Sequence, residues 1–139
     1  DLYAMAPSRP VPPVPRELRV GVACRRGPDG AIEQALRPRE LQRVVAAVKR
    51  LRPAAIAIGF LHSPVDDSDE RQVARALAKA LPNVPITTSA ELLPAFGEFE
   101  RFSTAILNAA TAPVVGGYTQ NLARGIGPGQ LRLLRSSLG

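Results

Sequence analysis

Cysteine and histidine occur once each in this 139-residue chain, at Cys24 and His62, and tryptophan not at all. One thiol excludes an internal disulfide, and one thiol beside one imidazole excludes a Cys/His metal cluster. Aromatic residues make up 4% of the chain, and none is interleaved with basic residues as a stacking platform for single-stranded nucleic acid requires. No window approaches the ~18 consecutive apolar residues of a membrane span. The start carries no charged, then apolar, then small-residue leader, so no export signal is visible and cytoplasmic residence is the expectation. Internal repeats are absent as well.

What is present suits one globular domain. A hydrophobic content of 45% is ordinary for a soluble protein, and the length allows a real core. The net charge is +6 and the pI near 10.7, values that invite a nucleic-acid reading. The distribution weakens it. Residues 16–52 hold ten Lys/Arg against four acids, 53–101 four against seven, and 102–139 three against none. A solvated helix face accounts for the basic excess, and neither nucleic acid nor membrane is expected as a partner.

Ala54-Ala-Ile-Ala-Ile-Gly-Phe-Leu-His-Ser63 organises the rest. It is a short β-branched run between Pro53 and Pro64, which reads as a strand over 54–61 buried on both faces, with helices to either side. Before it, Asp1 to Pro15 contains five prolines and favours an extended arm. Glu17 to Cys24 alternates, with Leu18, Val20 and Val22 on one face, and predicts a half-buried strand. Gly27-Pro-Asp-Gly30 signals a tight turn, and a return strand around Ala31–Gln34 completes a hairpin at a sheet edge. Pro38 opens a helix at its favoured position, with Leu41, Val44, Val45, Val48 and Leu51 on one face and Arg39, Gln42, Arg43, Lys49 and Arg50 outward.

Downstream, Asp66-Asp-Ser-Asp-Glu70 precedes an apolar periodicity through Leu81. Asp67 and Glu70 have capping-box spacing, so the acids read as a helix N-terminus and not as a metal site. Strand 54–61, helix 67–81 and strand 84–89 then form a βαβ crossover. Ala90 to Gly97 is a loop. From Glu98 the chain turns helical, and Pro113 either kinks that helix or starts another. Gly125 to Gly129 is a break, and Leu131 to Leu134 resembles the first strand of a further subdomain.

Three groups of polar residues are candidates for chemistry. His62 and Ser63 end the buried strand, where open α/β sheets place ligands, although a lone histidine without a fixed partner is more often a hydrogen-bonded structural residue. Glu98-Phe-Glu-Arg101 brings two carboxylates and a guanidinium together. They would either lock the loop–helix junction as a bidentate pair or orient a substrate or phosphate. The Gly125-x-Gly-x-Gly129 run follows a helix and lacks a lysine, so it is a linker and not a phosphate loop. Cys24, on a strand, is an inert core thiol.

The ordered blocks Asp1-Leu-Tyr3, Pro15-Arg-Glu-Leu-Arg19, Leu36-Arg-Pro38, Gly59-Phe-Leu-His-Ser63, Ser89-Ala-Glu-Leu-Leu-Pro94, Glu98-Phe-Glu-Arg-Phe-Ser-Thr104 and Leu107-Asn-Ala109 resemble the N-terminal region of the hydantoinase/oxoprolinase family. That family includes ATP-dependent hydantoinase A subunits, oxoprolinase, and related acetone and acetophenone carboxylase subunits. The match covers nearly the whole chain. The resemblance implies a fragment of an actin-like ATPase half, of sugar kinase/Hsp70 type, in a parent that uses ATP and Mg to activate a cyclic amide carbonyl. It also implies that the phosphate-binding hairpin would precede Asp1, that this chain alone neither binds a cofactor nor turns over, and that its partners are the rest of its parent chain and a second subunit. His62, Ser63, Glu98, Glu100, Arg101 and Asn108 carry over as substrate- or nucleotide-proximal, none of them as a catalytic or metal-binding residue. Phe102 and Ala105 stand where the family pattern has threonines, and Ser137-Leu-Gly139 replaces an Asn-Gly-Gly-like step.

The expectation is therefore an α/β fold: a βαβ-containing mixed sheet with flanking helices. Residues 1–15 form an extended arm, 16–124 the α/β domain, and 125–139 a linker and the start of the next subdomain. Two functions follow. One is a fragment of an ATP-dependent hydantoinase/oxoprolinase-type hydrolase that opens a hydantoin or lactam ring. The other is a degenerate structural or subunit-interaction domain without catalysis.

Overall fold

A computed structural model describes residues 12–126. The expected arm and the terminal strand at 131–134 fall wholly or largely outside those residues. After a 3₁₀ turn at Arg16–Leu18, the chain forms β1 (Arg25–Arg26), β2 (Ile32–Gln34), α1 (Pro38–Leu51), β3 (Ile56–Ile58), α2 (Ser68–Ala80), β4 (Ile86–Thr88), the single turn α3 (Ser89–Leu92) and the long helix α4 (Glu98–Ile126).

The βαβ unit forms as the apolar pattern dictates. β3 and β4 pair in parallel, Ile56 opposite Ile86 and Ile58 opposite Thr88, with α2 as the crossover. Ile56 and Ile58 face α1 and α2, where Val44, Val48, Val73 and Leu77 complete the core. Each such side chain, once fully buried, contributes roughly 1.5–3 kcal/mol. α4 covers the opposite face, so the unit is a three-layer α/β/α arrangement. The strand is not buried throughout as expected: Ala57, between the buried Ile56 and Ile58, is exposed, and among the described residues β3 has a partner on one edge only.

α1 follows its signals closely. Pro38 supplies a preset φ in the first turn, and the helix ends at Arg52, whose backbone is left-handed (φ 47°) just before Pro53. Val44 and Val48 are buried and the basic residues face outward.

Three strand expectations are corrected. Residues 19–24 join no ladder, although Val20 and Val22 do lean on the core; Leu18 lies in the 3₁₀ turn and is exposed. The hairpin pairs only Arg25–Arg26 with Ile32–Gln34, since a turn closed by Gly27 N–H to Ala31 O and Gly30 N–H to Gly27 O reaches just the adjoining residues. Gly30 provides the positive φ of 82° there. The two short sheets also remain separate, so the mixed sheet does not form among the described residues. The third correction lies at β4, which stops at Thr88: Ser89 begins a helical turn instead of ending the strand.

α4 is continuous through Pro113. The ring deprives the Ala109 carbonyl of its usual donor without dividing the helix. The helix also runs through the expected domain boundary at 124. Among the described residues, no helix is long and apolar enough to cross a membrane.

Candidate functional site

The carboxyl ends of β3 and β4, the first turn of α2, α3 and the start of α4 converge on one buried polar cluster. Glu70, Ser89 and Arg101 are each 0% exposed. Glu70 lies on α2 in the same row as Val73 and Leu77, three and seven residues on, so its side chain points into the protein. Its Oε1 accepts the Phe60 N–H at 2.9 Å and the Ser89 hydroxyl at 2.6 Å, and its Oε2 accepts the Ala90 N–H at 3.1 Å. Asp67 and Glu70 therefore make no capping box. Asp67 makes no side-chain cap bond and instead pairs with Arg71 one turn along.

Arg101 enters from α4 on the far side. Its Nε donates to Ser89 Oγ at 3.1 Å, one Nη to the Ala95 carbonyl at 3.3 Å, and the other to the Phe60 carbonyl at 2.7 Å. Ser89 thus links the carboxylate to the guanidinium, donating to one and accepting from the other. A buried charge without partners is costly, and here both charges are met. Both backbone polar groups of Phe60 are held, the N–H by Glu70 and the C=O by Arg101, which orients the loop that follows β3.

The expected site residues separate into three groups. Ser63 joins the cluster: it is buried, and its hydroxyl donates to the same Phe60 carbonyl at 2.9 Å. His62 sits beside it in a left-handed backbone conformation, φ 60°, which glycine tolerates far better. Its carbonyl accepts from the N–H groups of Val65 and Asp66, while its half-buried ring makes no hydrogen bond or ion pair among the described residues. Glu98 and Glu100 stay outside the cluster. The bidentate lock with Arg101 does not form, because burial turns the guanidinium inward while Glu98 is half-buried and Glu100 exposed. Asn108 lies two turns along α4 and donates to Thr87 Oγ1 at 2.9 Å, tying the helix to β4.

A second cluster forms the rim. Arg26 of β1 bonds Asp66 and Asp69, each at 2.7 Å, and also Ser68 Oγ and the Gly30 carbonyl. This pins the hairpin to the head of α2 in place of a ladder. Asp66 is held below the ordinary carboxylate range, first by its bonds from Ser68 and then by the Arg26 charge. A cavity of about 180 Å³ lies between hairpin and loop, lined by Cys24, Arg25, Arg26, Phe60, Leu61, Asp66 and Asp69. Burial, followed by the charges of Asp69 and Glu40, pushes the Cys24 thiol up to about 11. It is a poor nucleophile at neutral pH.

Glu70 and Ser89 were not legible as site residues, although a carboxylate in register with Val73 and Leu77 was the available signal. Among the described residues no three His, Cys, Asp or Glu side chains gather as metal ligands would. Among the described residues no buried side-chain polar atom lacks a partner. At Gly59 a Cβ would meet the Phe102 ring at 2.5 Å, so the glycine lets α4 pack directly on the end of β3.

Residues 1–81 match the family described as the hydantoinase/oxoprolinase N-terminal region. An uncharacterized protein of Methanocaldococcus jannaschii is 32% identical over 120 residues, 86% of this chain and 18% of its own length. The caprolactamase subunit alpha of Pseudomonas jessenii is 29% identical over 109 residues, 78% of this chain and 16% of its own length. The chain therefore spans under a fifth of either relative. Among solved structures, the ATP-dependent caprolactamase from Pseudomonas jessenii superposes with a TM-score of 0.74 at 27% identity, covering 88% of this chain and 18% of that one. Nucleotide-free acetone carboxylase superposes at 0.70 and 25% identity, over 81% of this chain and 17% of that one.

Proposed function

The chain belongs to the hydantoinase/oxoprolinase N-terminal family, and on that premise we propose that it is the loop-positioning part of an ATP-dependent hydrolase that opens a cyclic amide. The observation that carries this reading is the agreement of two independent comparisons, one of sequence and one of fold, on a caprolactamase. The three-layer unit would then be part of an actin-like ATPase half. ATP with Mg would supply the activation of the amide carbonyl, bound by parts of the parent other than the described residues. This chain's own contribution is to hold the loop after β3. Glu70, Arg101 and Ser63 grip Phe60, with Ser89 bridging Glu70 and Arg101, and His62 is displayed next to that grip. The isolated chain would have no turnover.

The test uses the full natural reading frame that carries this chain. ATP-dependent opening of a lactam or hydantoin ring, with matching ADP release, is the expected result. Ring opening without ATP, or no ring opening on either class of substrate, would sink it. Bicarbonate-dependent carboxylation of a ketone would move the protein toward the acetone carboxylase relative. A degenerate domain is the second reading, favoured by Phe102 packed over Gly59. In that case His62→Ala would change nothing measurable in turnover, since there would be none to lose.

A further inference from the structure

α4 changes character halfway along. Its first half lies on the sheet through Arg101, Ala105 and Ala109, all buried. Beyond Ala109 no described residue of the helix is buried, and Val114, Val115 and Tyr118 are 74%, 54% and 63% exposed. From Phe102 to Ala123 the helix contains no charged residue. A helix left in water usually carries charge on its outer face; this stretch has none there and exposes Val114, Val115 and Tyr118 instead. Gly116 and Gly117 add an independent sign. Glycines weaken a helix interior, and a Cβ built on either would meet nothing within 4 Å. Among the described residues nothing requires them to be small, so a close backbone approach from elsewhere would explain the pair.

We propose that residues 110–123 are a buried helix of the mature protein, covered by another segment of the same polypeptide whose backbone packs at Gly116 and Gly117. The occupant is assigned to the same polypeptide on length. The two caprolactamase comparisons match most of this chain within chains about five times as long, 16% and 18% being covered. An apolar, uncharged surface needs a permanent partner, because an exposed patch of this kind promotes aggregation. This inference rests on the reading that the chain is one part of a larger hydrolase polypeptide, and it deepens that reading by naming the contact surface.

The test is made on the full natural reading frame, purified without any other subunit and assayed without ATP or substrate, so that failure of the activity leaves its outcome unaffected. Val114→Cys is labelled with a maleimide and read by mass spectrometry on the tryptic peptide Phe102–Arg124. Labelling at least ~100-fold slower than in urea, independent of protein concentration, is expected for a site that reacts only through local opening. Wild-type hydrogen exchange of the same peptide gives a second measurement if the variant folds poorly, and slow exchange over 114–123 is expected. Fast labelling and fast exchange would overturn the proposal. Protection only at high protein concentration would assign the face to a second copy, and protection only after adding another subunit would assign it to that subunit; either result also overturns it.

Discussion

The two arginine–carboxylate clusters at the carboxyl end of the strands use the same groups and differ in depth. Glu70, Ser89 and Arg101 are fully buried, whereas Arg26 pairs with Asp69 at 15% and with Asp66 at 38% side-chain exposure. Water can stand in for a lost partner at the rim, and in the buried cluster it cannot. The inner cluster therefore fixes the architecture, and the outer one fastens the hairpin to it. Clusters built from the same charged groups thus have unequal weight, set by what remains when a partner is removed.

The largest expected effect breaks the inner cluster. Arg101→Ala leaves the Phe60 and Ala95 carbonyls and the Glu70–Ser89 pair short of a buried donor. It should cost about 3–5 kcal/mol, a large part of a typical domain's stability of about 5–15 kcal/mol, read as a drop in the urea unfolding midpoint. A loss similar to that at the rim would erase the contrast. Arg26→Ala is expected to cost less, roughly 1–2 kcal/mol, because its Asp66 arm is partly screened by water. Added salt should shrink that loss, while the Arg101→Ala loss stays nearly constant.

His62 lies between the clusters and offers a smaller test. At a φ of 60°, His62→Gly should be more stable than His62→Ala by about 1 kcal/mol, measured by thermal unfolding. If the full-length protein has the proposed activity, both variants should lose it equally where the imidazole acts, whereas activity restored in the glycine variant would show that only the backbone matters. The weakest effect is acid sensitivity at the rim of α1. Glu40 is lowered from 4.5 to about 2, first by Arg43 and then by the Ala23 N–H. A carboxyl with a depressed folded value stabilises above the unfolded value, and that contribution fades as pH falls from 4.5 toward 2. Glu40→Gln should flatten the slope of stability with pH in that window. Asp66 shifts in the same direction and leaves a residual slope.

Much of the fold was legible because it is local. The Gly-Pro-Asp-Gly turn, the stripe Val44–Val48 and the βαβ order all appear where periodicity and turn chemistry put them. The extended segment before Cys24 illustrates the limit. Its alternation holds for Val20 and Val22, which lean on the core, and fails for Leu18, which is exposed; nor does alternation say whether a neighbouring strand exists to pair with it. Glu70 illustrates another. Its spacing from Asp67 matched a cap, and its register with Val73 and Leu77 marked it as buried; only the second signal governs the folded protein.

The amino-acid order by itself determined the two amphipathic helices, the tight turn and the βαβ order, since those follow from short-range sterics and apolar spacing. Tertiary structure alone decided that Glu70, Ser89 and Arg101 meet. Their bonds join residues 19, 12 and 41 positions apart, and each charge is tolerated in the interior only because the others arrive there with it.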